Sequence, residues 1–323
     1  MALLTPLEPG AARAILSLYG VSLAELEALH AGSVNSNFRV RDASGTTFFL
    51  RLYEEQDAEG AAREVALLRR LHAASVPSAL PRQRRDGMWL AEHAGKPVAL
   101  FEWVDGTIVC QKEVTVEHCA RIGAALARVH LSGGSALSEG RFRVEDLQRR
   151  LDSVEESAAP ELVAAAREIR DALRAYAARR DGALPKGLIH GDLFRDNVLW
   201  RGKEIAALLD FESASQGPFV YDVMVTLLAW CYGSAFEREL AQSLLVAYHR
   251  VRPLVAAELA ALRVEGGIAA LRFATTRITD FSLRAPKDQP PLRDYRRFLQ
   301  RRAELEAGAL DAVISALEPV PAG

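Results

Sequence analysis

Three polar residues stand close enough in the chain, and in the right order, to serve one reaction together: Asp192, Asn197 and Asp210. Asp192 precedes Asn197 by five positions, and Asp210 follows Asn197 by thirteen. A loop aspartate can take a proton from an attacking hydroxyl. An amide oxygen and a carboxylate are the hard oxygen ligands that Mg²⁺ prefers. The stretch reads L-I-H-G-D-L-F-R-D-N-V-L-W, then R-G-K-E, then I-A-A-L-L-D-F-E. The apolar runs Val198–Trp200 and Ile205–Leu209 flank the turn-like Arg-Gly-Lys-Glu, which predicts a β-hairpin. Closing that hairpin sets Asn197 roughly opposite Asp210, and directly opposed residues have Cα atoms about 4.5–5.5 Å apart. One positioned base plus two cation ligands is the set that phosphoryl transfer needs. Turn and strand-end capping would account for a lone Asp-Phe-Glu. It does not account for matched elements in this order.

The spacing His190-x-Asp192-x-x-x-x-Asn197 is that of a kinase catalytic loop, with Asp210-Phe211-Glu212 where protein kinases carry Asp-Phe-Gly. Weaker positions support it. Arg51 is the single basic residue in the alternating Phe48–Tyr53 stretch, and Glu64 follows on a helix. Such a pair holds the inner phosphates of a nucleotide in kinases, although a solvent-facing arginine and an ordinary helix glutamate would look the same. The polar run Gly32–Asn37, including Ser33 and Asn37, could drape backbone N–H groups over phosphates or be only a turn. Asp222 opens an apolar helix and is expected to be its N-cap. His190 is expected to brace the loop rather than shuttle protons. The chain holds no GxxxxGK[ST], GxSxG or GxGxxG run, which removes common rival enzymes.

The elements that must position these residues fall into two parts. Before residue 104, Phe38–Val40, Thr47–Tyr53, Met88–Ala91 and Pro97–Trp103 read as strands. The helix Ala61–His72 lies between the second and third of them. After it, helices dominate: one from Thr115, its N-cap, with Cys119, Ile122, Leu126 and Val129 on one face, then Ala159–Ala178. Strand character returns at Gly187–Ile189 and in the hairpin. Tyr221–Tyr232, Ala235–Tyr248, Ala256–Phe281 and Tyr295–Leu317 complete the helical part. The expected fold is α+β: a nucleotide-binding sheet lobe over residues 1–103 and a larger helical lobe over 104–323. A ligand would sit in the crevice between them.

Composition is that of an ordinary globular protein, half hydrophobic and a quarter charged. Forty Lys and Arg against 42 Asp and Glu leave a net charge of −2, with no basic excess to suggest a nucleic-acid partner. The three cysteines form neither a zinc spacing nor a disulfide framework, which suits a reducing cytoplasm. The N-terminus lacks a signal-peptide layout, and no apolar run approaches the ~20 residues that span a bilayer. Neither a membrane nor a nucleic acid is an expected partner.

His190–Asn197, Asp210–Glu212 and Gly217-Pro218-Phe219-Val220-Tyr221-Asp222 together resemble the aminoglycoside phosphotransferase/choline kinase superfamily. Within it, the chain is most similar to the bacterial homoserine kinases of that fold. That likeness is carried by Asn35-Ser36-Asn37-Phe38, Leu52-Tyr53-Glu54, Ala229-Trp230-Cys231, Leu271-Arg272-Phe273 and Pro286-Lys287-Asp288. It implies a protein-kinase-like fold, ATP and Mg²⁺, and transfer of the γ-phosphoryl group to the hydroxyl of L-homoserine in threonine biosynthesis. Asp192 would be the base, and Asn197 and Asp210 the metal ligands. Arg51 would contact phosphates, and backbone of Phe101–Val104, including Glu102 and Val104, would meet adenine. Arg51 departs from the lysine often found there; the charge is kept, with a planar fork added. A zwitterionic acceptor needs a cation for its carboxylate, for which Arg272 and Arg277 are candidates, and an acid for its ammonium, Glu212 or Asp280. Arg277, Asp280 and Arg284 also suit intrahelical ion pairs. A polycationic aminoglycoside calls for an acidic cleft, yet 13 acids and 13 bases follow from Glu212 to the C-terminus. Other amino alcohols, an antibiotic acceptor, or a non-catalytic nucleotide-binding role are the alternatives.

Overall fold

The structure is a computed structural model, and it describes residues 5–29, 35–133, 140, 142–155, 159–284 and 293–317. The chain divides into two compact units, Met1–Thr107 with Leu199–Glu212, and Ile108–Val198 with Ser213–Gly323.

The first unit opens with α1 (Pro9–Leu18), then β1 (Leu23–Leu29), β2 (Ser36–Asp42) and β3 (Thr47–Leu52). Next come α2 (Ala58–Ala73), β4 (Leu90–His93) and β5 (Lys96–Glu102). The five strands form one antiparallel sheet in the order β1-β2-β3-β5-β4. The turn between β2 and β3 is built by Asp42. Its Oδ1 accepts from the N–H of Ser44 at 2.8 Å and of Thr46 at 2.9 Å. Bonding to Ser44 above all holds this carboxyl below its usual range.

Alternation along β3 buries Phe48, Leu50 and Leu52 and turns Thr47, Phe49 and Arg51 to the other face. The buried set packs with Leu16, Phe38, Val40, Val98 and Leu100. Burying each such leucine contributes about 1.5–3 kcal/mol. Neither α1 nor β1 belongs to the predicted elements. The β1 sequence LAELEAL holds strong helix formers and no β-branched residue. It is a strand because it pairs with β2, Leu26 opposite Val40, and such pairing overrides local propensity.

The second unit begins with α3 (Val116–Leu131), α4 (Val144–Glu155), α5 (Pro160–Arg179) and β6 (Lys186–Ile189). The Thr115 hydroxyl caps α3 by accepting from the His118 N–H at 3.3 Å. Cys119, Ile122, Leu126 and Val129 are all fully buried. The hairpin of β7 (Val198–Arg201) and β8 (Glu204–Leu208) forms around Gly202, whose φ is +58°. Most of it belongs to the first unit, where the Thr107 N–H bonds the Trp200 carbonyl at 2.9 Å.

The remaining elements are β9 (Ser215–Pro218, paired with β6), α6 (Phe219–Trp230), α7 (Arg238–Val251), α8 (Ala256–Arg277), α9 (Arg296–Glu306) and α10 (Asp311–Ile314). A π-turn over Ile278–Ser282 ends α8. Every α6 residue from Val220 to Trp230 is buried, as a helix apolar all round requires. At Gly123 an added Cβ would lie 2.2 Å from the Leu244 carbonyl oxygen, so α3 and α7 meet without a side chain between them. The predicted Tyr295–Leu317 helix is two helices, parted at Gly308 with φ +89°. No helix of the described residues is long and apolar enough to cross a membrane.

Candidate active site

The segment between β6 and β7 carries Asp192 and Asn197, and its shape is set by partners for its backbone. A carboxylate on α6, that of Asp222, accepts from the N–H of His190 at 2.6 Å and of Gly191 at 2.7 Å. The Asp192 N–H donates to His190 Nδ1 at 3.3 Å, so His190 braces the loop. Trp230 Nε1 donates to the Leu193 carbonyl at 2.9 Å, and Arg195 donates to the Ala229 carbonyl. The Asn197 amide nitrogen donates to the Asp192 carbonyl at 2.8 Å. That bond commits the nitrogen and leaves the Asn197 amide oxygen as the available donor atom. Gly191 has φ +76°, a conformation costly to other residues, and a Cβ there would meet the Ser213 carbonyl oxygen at 3.0 Å.

Asp222 is therefore not the N-cap of α6. Pro218 holds that position, and Asp222 lies one turn inside a helix that starts at Phe219. Its carboxylate points out of the helix, to the loop and to His130 of α3, whose Nε2 lies 3.0 Å away. His130 Nδ1 lies 2.7 Å from the Tyr248 hydroxyl of α7. Burial pushes the His130 imidazole below its usual range, against the pull of Asp222. It is then neutral, donating from Nε2 to Asp222 and accepting from Tyr248 at Nδ1. Burial alone would raise the Asp222 carboxyl, but the hydrogen bonds from His130 and the Gly191 N–H hold it below the carboxylate range. Both residues are fully buried. A lone histidine on an apolar helix face gave no sign of this.

Arg272, on α8, is bound within this unit. One guanidinium nitrogen, Nη1, donates to the Gly191 carbonyl at 2.8 Å and to Asp192 Oδ1 at 3.1 Å. Arg277 donates to the Asp294 carbonyl at 2.8 Å and stacks over Phe298 at 4.4 Å. Burial and the neighbouring Arg301, Arg293 and Arg297 push its guanidinium down to about 10. No carboxylate among the described residues pairs with it at salt-bridge distance. Asp280 instead pairs with Arg150 at 3.0 Å. Pro286-Lys287-Asp288 lies outside the described residues.

In the first unit, Arg51 Nη1 lies 2.9 Å from Glu64 Oε1 and 3.6 Å from Glu212 Oε1. The strand-to-helix ion pair expected from the alternation thus forms. Asn37 is cross-strand from Arg51 and accepts from its Nε at 3.4 Å. Asn35 donates to Glu212. Burial would lower the Arg51 guanidinium, but Glu64, Glu212 and Asp210 outweigh it and keep it charged. Burial pushes the Glu64 carboxyl up, with Asp210 adding to it against Arg51. Asp210 adopts φ +58°, rare for a residue with a side chain. Glu102 is exposed at the end of β5 and donates its N–H to Leu80, and Val104 follows in irregular backbone. Ser33 lies outside the described residues.

The described residues contain no group of three or more His, Cys, Asp and Glu that could by itself hold a metal ion. The donor chemistry nevertheless fits a hard divalent cation shared with phosphates. Such a cation takes one or two protein oxygens and completes its shell from phosphate and water. Asn197 offers an amide oxygen. Within the first unit, the carboxylates of Glu64 and Glu212 lie 2.9 and 3.6 Å from Arg51, and Asp210 also acts on its charge.

Residues 25–254 match the family model described as the phosphotransferase enzyme family. A curated homoserine kinase of Acidiphilium cryptum is 36% identical, covering 96% of this chain and 98% of its own. Another, from Nitrobacter winogradskyi, is 37% identical over 90% of each chain. Among solved structures, an amicoumacin kinase in complex with AMP-PNP, Ca²⁺ and Ami superposes with a TM-score of 0.70 over 93% of this chain and 94% of its own. At 18% identity that likeness speaks for the fold. With the kinase-like α+β fold, a matched family model over most of the chain and full-length relatives above a third identical, the chain belongs to the phosphotransferase enzyme family.

Proposed function

We propose that this protein is an ATP- and Mg²⁺-dependent kinase that phosphorylates the side-chain hydroxyl of L-homoserine. The observation that carries the acceptor is the full-length identity of 36–37% to curated homoserine kinases. The nucleotide and a divalent ion are supported by the AMP-PNP and Ca²⁺ of the structurally similar amicoumacin kinase. The retained base and oxygen ligands argue against a non-catalytic role. A reducing cytoplasm is the compartment that this reading and the cysteine pattern favour.

In this reading residues 1–103 serve the nucleotide and 104–323 bring the base and the acceptor. Asp192 takes the hydroxyl proton while the acceptor oxygen bonds to the γ-phosphorus. The bond from that phosphorus to the β,γ-bridging oxygen breaks, and ADP leaves with the electron pair. Asn197 and Asp210 would hold Mg²⁺, which when bound neutralises charge building on the phosphate oxygens. Arg51, steadied by Glu64, would meet the inner phosphates, with Ser33 and Asn37 beside them. The backbone at Glu102 and Val104 would meet adenine. Arg277, a guanidinium lacking a carboxylate partner at salt-bridge distance among the described residues, is the stronger candidate for the acceptor carboxylate. Arg272 is the weaker, being engaged by the loop. Glu212 remains a candidate for the ammonium, although Arg51 and Asn35 already occupy it.

Purified protein given Mg-ATP and, separately, homoserine, choline, ethanolamine and kanamycin tests the reading. We expect ADP release that depends on homoserine. Turnover with one of the others and none with homoserine overturns the acceptor, and no turnover with any overturns the kinase.

A further inference from the structure

We infer that Arg272 is a positioning residue for Asp192: it fixes the plane of the carboxylate so that Oδ2 faces the acceptor hydroxyl. This rests on the kinase reading, with Asp192 as the base.

An aspartate on a loop is free to rotate about its last side-chain bond, and Asp192 is 29% exposed. Only one of its oxygens is tied. Oδ1 accepts from Arg272 Nη1 at 3.1 Å, and no bond from the described residues reaches Oδ2. The same nitrogen holds the Gly191 carbonyl at 2.8 Å. One donor on α8 therefore references both the loop backbone and the catalytic side chain to a buried helix. The donor itself does not wander. The Arg272 side chain is 4% exposed, and its guanidinium carbon lies 4.2 Å from the centre of the Phe142 ring and 4.0 Å from that of Phe273. Phe273 in turn meets Phe194 of the loop edge-on, 4.7 Å between ring centres. Asp222 separately accepts from the N–H groups of His190 and Gly191.

The energetics point the same way. Taking a guanidinium out of water costs several kcal/mol, and replacing a buried ion pair with apolar residues is often neutral or stabilising. Arg272 Nε is also buried without a hydrogen-bond partner among the described residues. Fold stability alone would be served as well by an apolar side chain between two phenylalanines. A charge kept there at a loss, with one nitrogen bonded to the base, suits orientation of that base.

The test uses the full-length protein, with kcat and KM measured for Arg272→Met, Arg272→Lys, Asp192→Asn and Arg272→Met/Asp192→Asn. Arg272→Met should lower kcat about 100-fold, the size of loss that a small misplacement of a reacting group produces. Both KM values should stay within about threefold of wild type, because uniform binding is untouched. Arg272→Lys should recover part of the loss, since a single ammonium can reach both acceptors; it also keeps the buried charge should the Met variant fail to fold. In the Asp192→Asn background, Arg272→Met should add less than about threefold, because residues acting as a unit are non-additive. Equal losses in both backgrounds, or unchanged kcat in a folded Arg272 variant, overturn the inference. So does a rise in homoserine KM with kcat intact, which would make Arg272 the carboxylate ligand. Full activity of Asp192→Asn, by contrast, would overturn the kinase mechanism itself.

Discussion

Replacing Asp222 with asparagine removes the charge and one of two acceptor oxygens from a group that serves three donors. In the native protein Oδ2 takes the His190 N–H at 2.6 Å and His130 Nε2 at 3.0 Å, while Oδ1 takes the Gly191 N–H at 2.7 Å. An amide cannot present oxygens on both sides. Whichever way it turns, its NH₂ faces at least one donor, and a buried N–H loses its partner. Each unsatisfied buried group costs about 1–3 kcal/mol, and breaking a buried charged network costs about 3–5 kcal/mol in all. For a unit of this size, 1 kcal/mol moves the melting temperature by about 2–4 °C. The expected drop is therefore about 6–20 °C by calorimetry or circular dichroism at neutral pH. A role as helix N-cap would cost only about 1 kcal/mol. Turnover should fall together with stability, because the N–H groups released belong to the loop that carries Asp192. Tyr248→Phe leaves Asp222 and its three donors in place and removes only the hydroxyl beyond them, 2.7 Å from His130 Nδ1 and 3.2 Å from Arg252 Nη1, and should cost about 1–3 kcal/mol. A melting temperature for Asp222→Asn within about 2 °C of wild type, with turnover unchanged, would refute the idea that this carboxylate anchors the loop.

Asp192→Asn should lower kcat by about 10²–10⁴, the usual worth of a positioned base, with ATP affinity by titration calorimetry nearly unchanged; retained turnover would remove Asp192 from its role. Asp210→Ala should abolish the Mg²⁺ dependence of nucleotide binding, and an unaltered dependence would refute its part in holding the cation. Burial lowers the His130 imidazole in the folded state, so the unfolded chain binds the proton more readily. That contribution is complete above the unfolded value of 6.5 and is lost as pH falls below it towards the folded value. The Asp222 carboxyl, lowered from 3.8, adds its own loss only in more acidic solution. Melting temperature should therefore decline between pH 7.5 and 5.5, and His130→Gln should flatten that slope; an equally steep slope in the variant would contradict the effect assigned to burial.

Much of the fold was legible where the signal is local. The α3 face at Cys119, Ile122, Leu126 and Val129 follows helical periodicity, and its Thr115 cap is a short-range bond. The alternation of β3 put Arg51 on one face and the hydrophobic core on the other. The hairpin was readable because two apolar runs flank a glycine turn. β1 was not readable, since its residues favour a helix and only the partner strand β2 makes it extended. The break at Gly308 and the π-turn after Arg277 were invisible for a related reason: a continuous helical pattern does not say where tertiary contacts interrupt it.

For the site, the order of residues carried the expectation. His190, Asp192, Asn197 and Asp210 at their spacings point to a base and two oxygen ligands, the roles proposed above, because loop and hairpin signals lie in neighbouring residues. What the order could not determine is how the loop is held. Asp222 reaches it from 31 and 32 residues away, His130 reaches Asp222 across 92, and Arg272 reaches Asp192 across 80. Nothing in local periodicity separates an aspartate that caps a helix from one that points out of its first turn to grip a distant backbone. The same holds for an arginine awaiting a substrate and one already bonded to Asp192. Those choices depend on which helices pack against the loop, and only the tertiary structure makes them.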